Sequence, residues 1–477
     1  MFKIYDSFSR KKKPLPRTGR KPLRLFVCGP TVYDLAHIGH ARTSLVFDAL
    51  ARHIRARGRR LFYLQNITDV DDKIIDRARR EGKKPLALAR TFELEYLKDM
   101  RRLGIASVTR HARASAFIPA IVRQVQTLIR KGYAYRATDG YYFNIAKFPR
   151  YGRLAGRTAA QAEDAISRID ESVGKMNRGD FALWKLVKTR MGTNKDTNVH
   201  ECRKMYSMKI VNGEPAWRTP LGEGRPGWHI EDTAISEHFF GPQYDIHGGG
   251  VDLKFPHHES EIAQQEAASG KRPFVKIWMH AGTLLVDGKK MSKSLGNFIT
   301  IDDFLLAHPP AVLRWLILSH HYRSPVNYTP TLVAQAERAV AKLTETVAAL
   351  KKSDRTNRSN RSNKSYMTYK KRFNGALDDD LNTPKALAVM WDTTNDQRLT
   401  AREKLALLLS YDEVFGLGLK TAGKRAAIPA SVLALVRARE LCRGNKQFTQ
   451  ADALRVKIEG LGYRVEDTDT GPTVRKS

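Results

Sequence analysis

Apolar positions along the chain follow two periods, and the switches between them mark its organisation. Leu23-Arg24-Leu25-Phe26-Val27-Cys28 is a short apolar run stopped by Gly29-Pro30, the pattern of a buried strand entering a loop. Beyond His40, Val46, Phe47, Leu50, His53 and Ile54 recur at helical spacing toward Gly58, and Leu61 to Leu64 is a second strand-like run. Strand, loop, helix and strand make one βαβ unit, which opens a parallel sheet with its functional loops at the carboxyl edge. Further helices are predicted over about 84–103 and 114–131, the second stopping at Gly132.

From about residue 136 to 225 this rhythm breaks. Tyr141 to Ile145 reads as a strand, Asp180 to Trp184 as another short packing element, and the sequence between is polar. An insertion splitting the α/β domain is expected there. The sheet should resume with Tyr244 to His247 and Ile277 to His280. After Thr300 the period is helical, with Ala311 to Leu316 packed on one side. Residues 351–367 are too rich in Lys, Ser, Asn and Arg to form a core and predict a loop or irregular insert. A helical block from Phe373 to Leu409, a linker over Gly416 to Pro429 and a small terminal unit complete the chain.

Composition changes this picture in one respect. Among 477 residues, 83 Lys and Arg face 49 Asp and Glu, a formal charge of +34 that would attract a polyanion at long range. A generally Arg-rich composition would give the same figure, and charge alone does not choose RNA over DNA. No apolar run reaches the roughly 18 residues of a membrane span, and the basic start lacks a signal-peptide core. Three well-separated cysteines, Cys28, Cys202 and Cys442, form no disulfide framework. A cytosolic protein is expected, with a monomer as the working assumption.

The candidate chemistry falls into two groups. Cys28 ends a strand, while His257 and Glu261 are four apart on one face of a predicted helix. Sulfur, imidazole and carboxylate suit tetrahedral zinc with a position left open for substrate. A lone buried cysteine is more often a small hydrophobe, and a His-His-Glu turn can also cap a helix. Asp232 and Cys202 are the candidates for a fourth ligand, Asp232 projecting from a strand or loop end. On the nucleotide side, His37-Ile38-Gly39-His40 precedes a helix, where imidazoles, a glycine and free amides can receive phosphates. Lys290-Met291-Ser292-Lys293-Ser294 lies between glycines, with Leu295 and Phe298 expected to anchor it, and describes a mobile loop for pyrophosphate. His247-Gly248-Gly249-Gly250 offers a further close-approach surface for adenosine, or a structural turn. No P-loop pattern is present.

Taken together these segments resemble the cysteinyl-tRNA synthetases, a class I aminoacyl-tRNA synthetase family. The likeness runs from Phe26 to Asp34 through His37 to His40 and Asn66 to Lys73, then Gly224 to Glu231, His247 to Gly250, Phe255 to Glu259 and Lys290 to Ser294. His321 to Ser324, Asp378 to Pro384 and Ala451 to Arg455 continue it. The resemblance implies an α/β fold, a Rossmann-like parallel-sheet catalytic domain split by an insertion and followed by helical tRNA-binding regions. It implies activation of L-cysteine by ATP, with Mg2+, and transfer to the 3'-terminal adenosine of tRNA(Cys). His37, His40, Lys290 and Lys293 would be catalytic; Gly248, Gly249 and Ser292 would join them at ATP. Gly29, Thr31, Thr68, Trp228 and Asp252 would contact cysteine. One zinc ion would be held by Cys28, His257 and Glu261, with Asp232 standing where well-known bacterial members have a cysteine.

The expected division is then 1–135 and 226–300 for the halves of the catalytic domain and 136–225 for an inserted connective region. Residues 301–350 would contact the tRNA stem, 351–420 form a helical domain with the polar insert at its start, and 421–477 bind the anticodon. In that last part Arg437, Arg439, Arg443, Lys446, Arg455, Lys457 and Arg464 suit an RNA backbone, and Phe448 and Tyr463 either stack on bases or belong to a core. Two other functions fit parts of the pattern: an adenylate-forming cysteine ligase acting on a non-tRNA amine, and a non-catalytic RNA-binding paralogue.

Overall fold

The computed structural model describes residues 1–157, 174–187, 205–354, 364–423, 430–445, 447–468 and 471–476. The described chain forms two compact units, Met1–Lys420 and Thr421–Ser477.

The larger unit is built on a five-stranded parallel sheet. Its order is Val275–Ala281, Tyr244–Gly250, Leu23–Val27, Leu61–Ile67 and Arg110–Arg113. The inner strands are buried on both faces, which is why they read as near-continuous apolar runs. Helices Ile38–Ala56, Pro85–Arg102, Ile118–Arg130, Ile230–Phe240 and His257–Ser269 belong to the same unit. Strand order reverses between Leu23–Val27 and Tyr244–Gly250, so the chain leaves these neighbours in opposite directions and opens a crevice at their carboxyl ends.

The insertion is more regular than its polar texture suggests. It is a six-stranded antiparallel sheet ordered Ala134–Arg136, Gly140–Phe143, Phe181–Leu186, Gly222–Pro226, Glu214–Thr219 and Met208–Val211. The three strands between Met208 and Pro226 escape the sequence pattern because their outer strand is largely exposed and the inner two carry Pro, Gly and charged residues. Cys202 lies outside the described residues.

Beyond the sheet the chain is helical. Pro310–Leu318 and Pro330–Asp354 follow Thr300 as expected, Lys364–Asp378, Thr383–Asn395 and Ala401–Phe415 replace the single block expected over Phe373 to Leu409, and the described ends of the polar insert continue helices rather than forming a loop. One buried polar hub ties two of them, Pro310–Leu318 and Ala401–Phe415, to the first long helix. Arg314 donates to Asp48 Oδ2 at 2.6 Å and to the carbonyls of Phe415 (2.6 Å) and Leu103 (3.0 Å). Asp48 also accepts from Arg52 and Ser107. Its carboxylate is thus fully engaged where water cannot reach it.

The smaller unit pairs helices Ala430–Gly444 and Phe448–Gly460 with the hairpin Tyr463–Thr468 and Gly471–Lys476. Val432, Val436, Ile458 and Val465 form its core, with Tyr463 packed against it. One expectation for RNA contact is corrected here. Arg439 is buried and spans both oxygens of Asp467 at 2.9 Å, so it braces helix to hairpin; Tyr463 is half-buried against the core. Phe448 is exposed; Lys446 lies outside the described residues.

Removing one partner of a buried ion pair leaves the other charge stranded, which costs about 3–5 kcal/mol. Arg314→Ala should therefore lower the unfolding free energy by about that amount, read from urea midpoints at constant slope. A loss below about 1 kcal/mol would mean that Asp48 is satisfied by Arg52 and Ser107 alone.

Candidate active site and metal centre

The crevice at the strand-order reversal contains a cavity of about 410 Å³. Cys28, Gly29 and Thr31 reach its wall from the end of Leu23–Val27, His37 and His40 from the start of the first long helix, and Thr68 from the end of Leu61–Ile67. Trp228, Asp232, Asp252, His257 and Lys290 line it as well. Most residues singled out in the sequence thus meet in one place, from segments more than 200 positions apart.

The candidate metal donors gather at and beneath its floor. Ligand atoms of Cys28, Asp232, His257 and Glu261 all lie within 4.8 Å of one another. Cys28 Sγ is 3.4 Å from Asp232 Oδ2, which is 3.0 Å from His257 Nε2, itself 3.3 Å from Glu261 Oε1. Asp232 is presented by the first turn of helix Ile230–Phe240 rather than by a strand or loop end. His257 and Glu261 share one face of His257–Ser269 as their spacing predicts.

The electrostatics favour a cation here. Burial pushes the Cys28 thiol well up, and the carboxylates of Glu261 and Asp232 push it further. Glu231 and Glu261 are likewise raised, first by burial and then by the Asp232 charge beside them. Glu231 Oε2 and Glu261 Oε2 are buried without a hydrogen-bond partner. Acidic groups crowded this way without water are stabilised in their ionised forms by a metal ion. The donor set fits zinc in type, with one thiolate, one imidazole and two carboxylates.

Asn66 is a site residue that sequence patterning missed. Its Oδ1 accepts from the Gly29 N–H at 2.6 Å, and its Nδ2 donates to Asp232 Oδ1 at 2.5 Å and Glu231 Oε1 at 3.2 Å. One amide thus ties the loop after Cys28 to the carboxylate opposite. Thr68 donates to Glu231 beside it. An asparagine at a strand end carries no spacing signal, so only its contacts reveal the role.

At the nucleotide side, His37 Nδ1 accepts from the Gly39 N–H at 3.1 Å and His40 Nδ1 from the His37 N–H at 3.3 Å. The rings stack at 3.8 Å. A backbone amide can only donate, so each neutral ring carries its proton on Nε2 and can donate it to an oxyanion. Burial pushes His37 down to about 4 and His40 to about 3, the latter also repelled by His37. Gly39 allows this packing, since a Cβ there would lie 2.8 Å from the His37 ring and 2.9 Å from Met291.

The lysine segment leaves a hairpin turn with Asp287 and Gly288 at positive φ, passes through Lys289–Lys290, and forms a short turn at Lys293–Leu295. Lys290 lines the cavity. Lys293 is exposed at the rim, paired with Asp34 and 5.2 Å from the Phe298 ring centroid. Ser292 donates its N–H to Asn297 Oδ1. Phe298 does anchor the segment, edge-on to His37 at 5.1 Å. Leu295, expected to be buried, is exposed.

Gly248 and Gly249 are placed differently from expectation. Both lie inside a central strand and neither lines the cavity; a Cβ would strike the Phe47 ring at 2.3 Å or His258 at 2.8 Å. Their lack of side chains is explained by packing, and Gly250 is the one glycine of this run on the wall.

The strand-order reversal thus gathers paired imidazoles, Lys290 and a metal-type donor set around one crevice, and the comparisons with known proteins identify the class as that of the class I aminoacyl-tRNA synthetases. Residues 15–338 match the tRNA synthetases class I (C) catalytic domain, 372–420 the DALR domain, and 425–475 the cysteinyl-tRNA ligase anticodon binding domain. The chain belongs to the cysteine–tRNA ligase family. A cysteine–tRNA ligase of Thermococcus onnurineus is 38% identical over 98% of each chain, and one of Halorhodospira halophila is 38% identical over 100% of each. The fold is shared with the LeuRS of Agrobacterium radiobacter K84 in its ternary complex with tRNA and LeuAMS. That structure gives a TM-score of 0.62 at 11% identity, covering 87% of this chain and 86% of that one. Methionyl-tRNA synthetase of Mycobacterium tuberculosis with methionyl-adenylate gives 0.57 at 14%, covering 84% and 91%.

The depressed imidazoles make a pH prediction. Their folded values lie below the ordinary value of about 6.5, so their contribution to stability is complete above 6.5 and is lost as pH falls toward about 4 and then 3. Unfolding free energy should fall over that window, and His40→Asn should flatten the fall. Identical pH slopes in the two proteins would show that His40 protonates freely in the folded state.

Proposed function

We propose that the chain activates L-cysteine with ATP and transfers it to the 3'-terminal adenosine of tRNA(Cys). The observation that carries this reading is one cavity whose floor is a thiolate-type metal donor set and whose wall holds His37, His40 and Lys290. Cys28, Asp232, His257 and Glu261 are the residues we assign to a single zinc ion. When bound, zinc supplies a Lewis acid that lowers the pKa of a substrate thiol, about 8.5 when free, and so selects cysteine over serine or valine.

The remaining steps belong to the chain's own groups. Trp228, stacked on His257 at 4.5 Å, and Thr31, Thr68 and Asp252 form the walls around the amino acid. In the first step a carboxylate oxygen of cysteine bonds to the α-phosphorus of ATP, and the bond to pyrophosphate breaks. His37 and His40 donate their Nε2 protons as hydrogen bonds to phosphate oxygens, neutral donors fixed in advance by the helix start. Lys290 and Lys293 offset charge on the departing pyrophosphate, Lys293 by exchanging Asp34 for phosphate, with Mg2+ accompanying ATP. Ser292 shapes the turn that presents them. In the second step a terminal adenosine hydroxyl attacks the acyl carbon and AMP leaves. The helices after Thr300 are assigned to the tRNA stem and residues 421–477 to the anticodon. No helix among the described residues is long and apolar enough to cross a membrane. We take the enzyme to be cytosolic and monomeric, a reducing compartment suiting the Cys28 thiol.

ATP–pyrophosphate exchange across an amino-acid panel tests the reading directly. Only cysteine should support exchange, the protein should carry one equivalent of zinc, and Cys28→Ser should lose both. Cysteine-independent exchange, or full activity without zinc, would overturn it. Lys293→Ala should lower the maximal exchange rate about 10²–10³-fold with little change in the KM for cysteine.

A chain ending at Lys420 should keep exchange and lose most tRNA charging, because the terminal unit has its own core. Undiminished charging would refute the anticodon assignment. A full-length protein that exchanges with cysteine but charges no tRNA would point to a non-tRNA acceptor.

A further inference from the structure

Arg42 is a buried cation without a counter-ion. It lies two positions after His40 on the first long helix, is 1% exposed, and meets no carboxylate among the described residues. Its guanidinium instead donates to three backbone carbonyls: Nε to Gly282 at 2.6 Å, and Nη2 to Ser324 and to Tyr322, the latter at 3.3 Å. Nη1 is buried without a hydrogen-bond partner. Burial alone lowers the group to about 10, so it stays charged at neutral pH. A guanidinium kept charged, dry and incompletely hydrogen-bonded opposes folding, and an apolar side chain of similar length would fill the space without that penalty.

Its acceptors lie at a junction. Leu284–Val286 and Val326–Tyr328 pair in parallel, Leu284 opposite Val326, and Gly282 and Ser324 each stand two positions before that pair. Leu284–Val286 turns back into Lys289–Lys290, which leads into the lysine segment. Gly282 and Leu284 line the same cavity as His37, His40 and Lys290. Gly282 has no room for a side chain, since a Cβ would lie 2.5 Å from the Ser324 carbonyl oxygen. From the far side the turn before Val326 is held by Asp380, which accepts from Tyr322 OH at 2.7 Å and Arg323 Nε at 2.9 Å. The downstream end of the lysine segment is tied to the same helix through backbone: Ile38 N–H donates to the Ile299 carbonyl at 3.1 Å, and Ile301 N–H to that of Ala36 at 2.9 Å. Both ends of the segment are thus fastened to the helix that His37 opens.

We propose that Arg42 is a positioning residue that fastens the root of the lysine hairpin to the histidine helix, so that Lys290, Lys293 and the two imidazoles close on one phosphate chain. The proposal rests on the phosphate roles assigned above. A guanidinium suits the task because its donors diverge in one rigid plane, so a single side chain holds two strand starts at a set spacing. A lysine ammonium on a flexible stem cannot fix both. When phosphate draws in the exposed lysines, they move about this fixed root, and the strands beneath them do not slide. A displacement of about 1 Å in a group that acts on the transition state lowers the rate by up to roughly 10²-fold.

Single-turnover formation of cysteinyl-adenylate by the full-length protein tests this, in a cycle that combines Arg42→Lys with Lys290→Ala/Lys293→Ala. Arg42→Lys alone should lower the maximal rate about 10–10²-fold, with the half-saturating cysteine concentration and the zinc content unchanged. With both lysines already removed, the same change should lower the rate less than about twofold, because it acts through them. An equal factor in both backgrounds overturns the proposal, since a role in stability or in the cavity wall adds independently. An Arg42→Lys protein as fast as the wild type overturns it as well. Gly282→Ala, which forces the same junction apart, gives a separate measure: its loss should likewise vanish once the lysines are absent, and it decides if Arg42→Lys does not fold. A wild type that forms no cysteinyl-adenylate refutes the activity assigned above, and this role with it.

Discussion

The structure depends on keeping Cys28 and three carboxylates together in a dry place. Asp232, Glu231 and Glu261 are all nearly inaccessible to solvent, and the thiol beside them is pushed up first by burial and then by their charge. Such a cluster opposes folding unless a cation neutralises it or the groups stay protonated. The surrounding scaffold holds this arrangement. Asn66 ties the Cys28 loop to Asp232, helix His257–Ser269 carries two donors on one face, and the parallel sheet provides the floor.

The same crevice also explains how neutral groups serve a highly charged substrate. His37 and His40 sit where burial keeps them uncharged, and their tautomers follow from two backbone amides. Their hydrogen bonds are therefore oriented before ATP arrives and need no proton uptake. The mobile positive charge is kept on the exposed lysine segment, where solvation makes it inexpensive until phosphate replaces water. The division of labour follows from depth in the crevice.

Much of this was legible in the residues because it is local. The apolar run ending at Cys28, the helix after His40, and the His257/Glu261 spacing each depend on a period that sequence displays directly. The insertion was read less well, since strands such as Met208–Val211 are exposed and lack alternation. Leu295 misled because apolar character does not guarantee burial in a short connecting turn, and Arg439 because a basic side chain can be consumed by an ion pair.

What the sequence determined by itself was the elements of the parallel sheet, the fold class and most of the chemical groups, all carried by short-range patterns and recognisable motifs. Only the tertiary structure decided which groups meet. Gly248 and Gly249 prove to be spaces filled by Phe47 and His258, and Asn66 proves to be a clamp. His247 and His258 join Cys28 from a strand and a helix more than 200 residues away. Those relations arise from strand order and helix packing across the sheet, and no spacing along the chain encodes a distance between segments folded against each other.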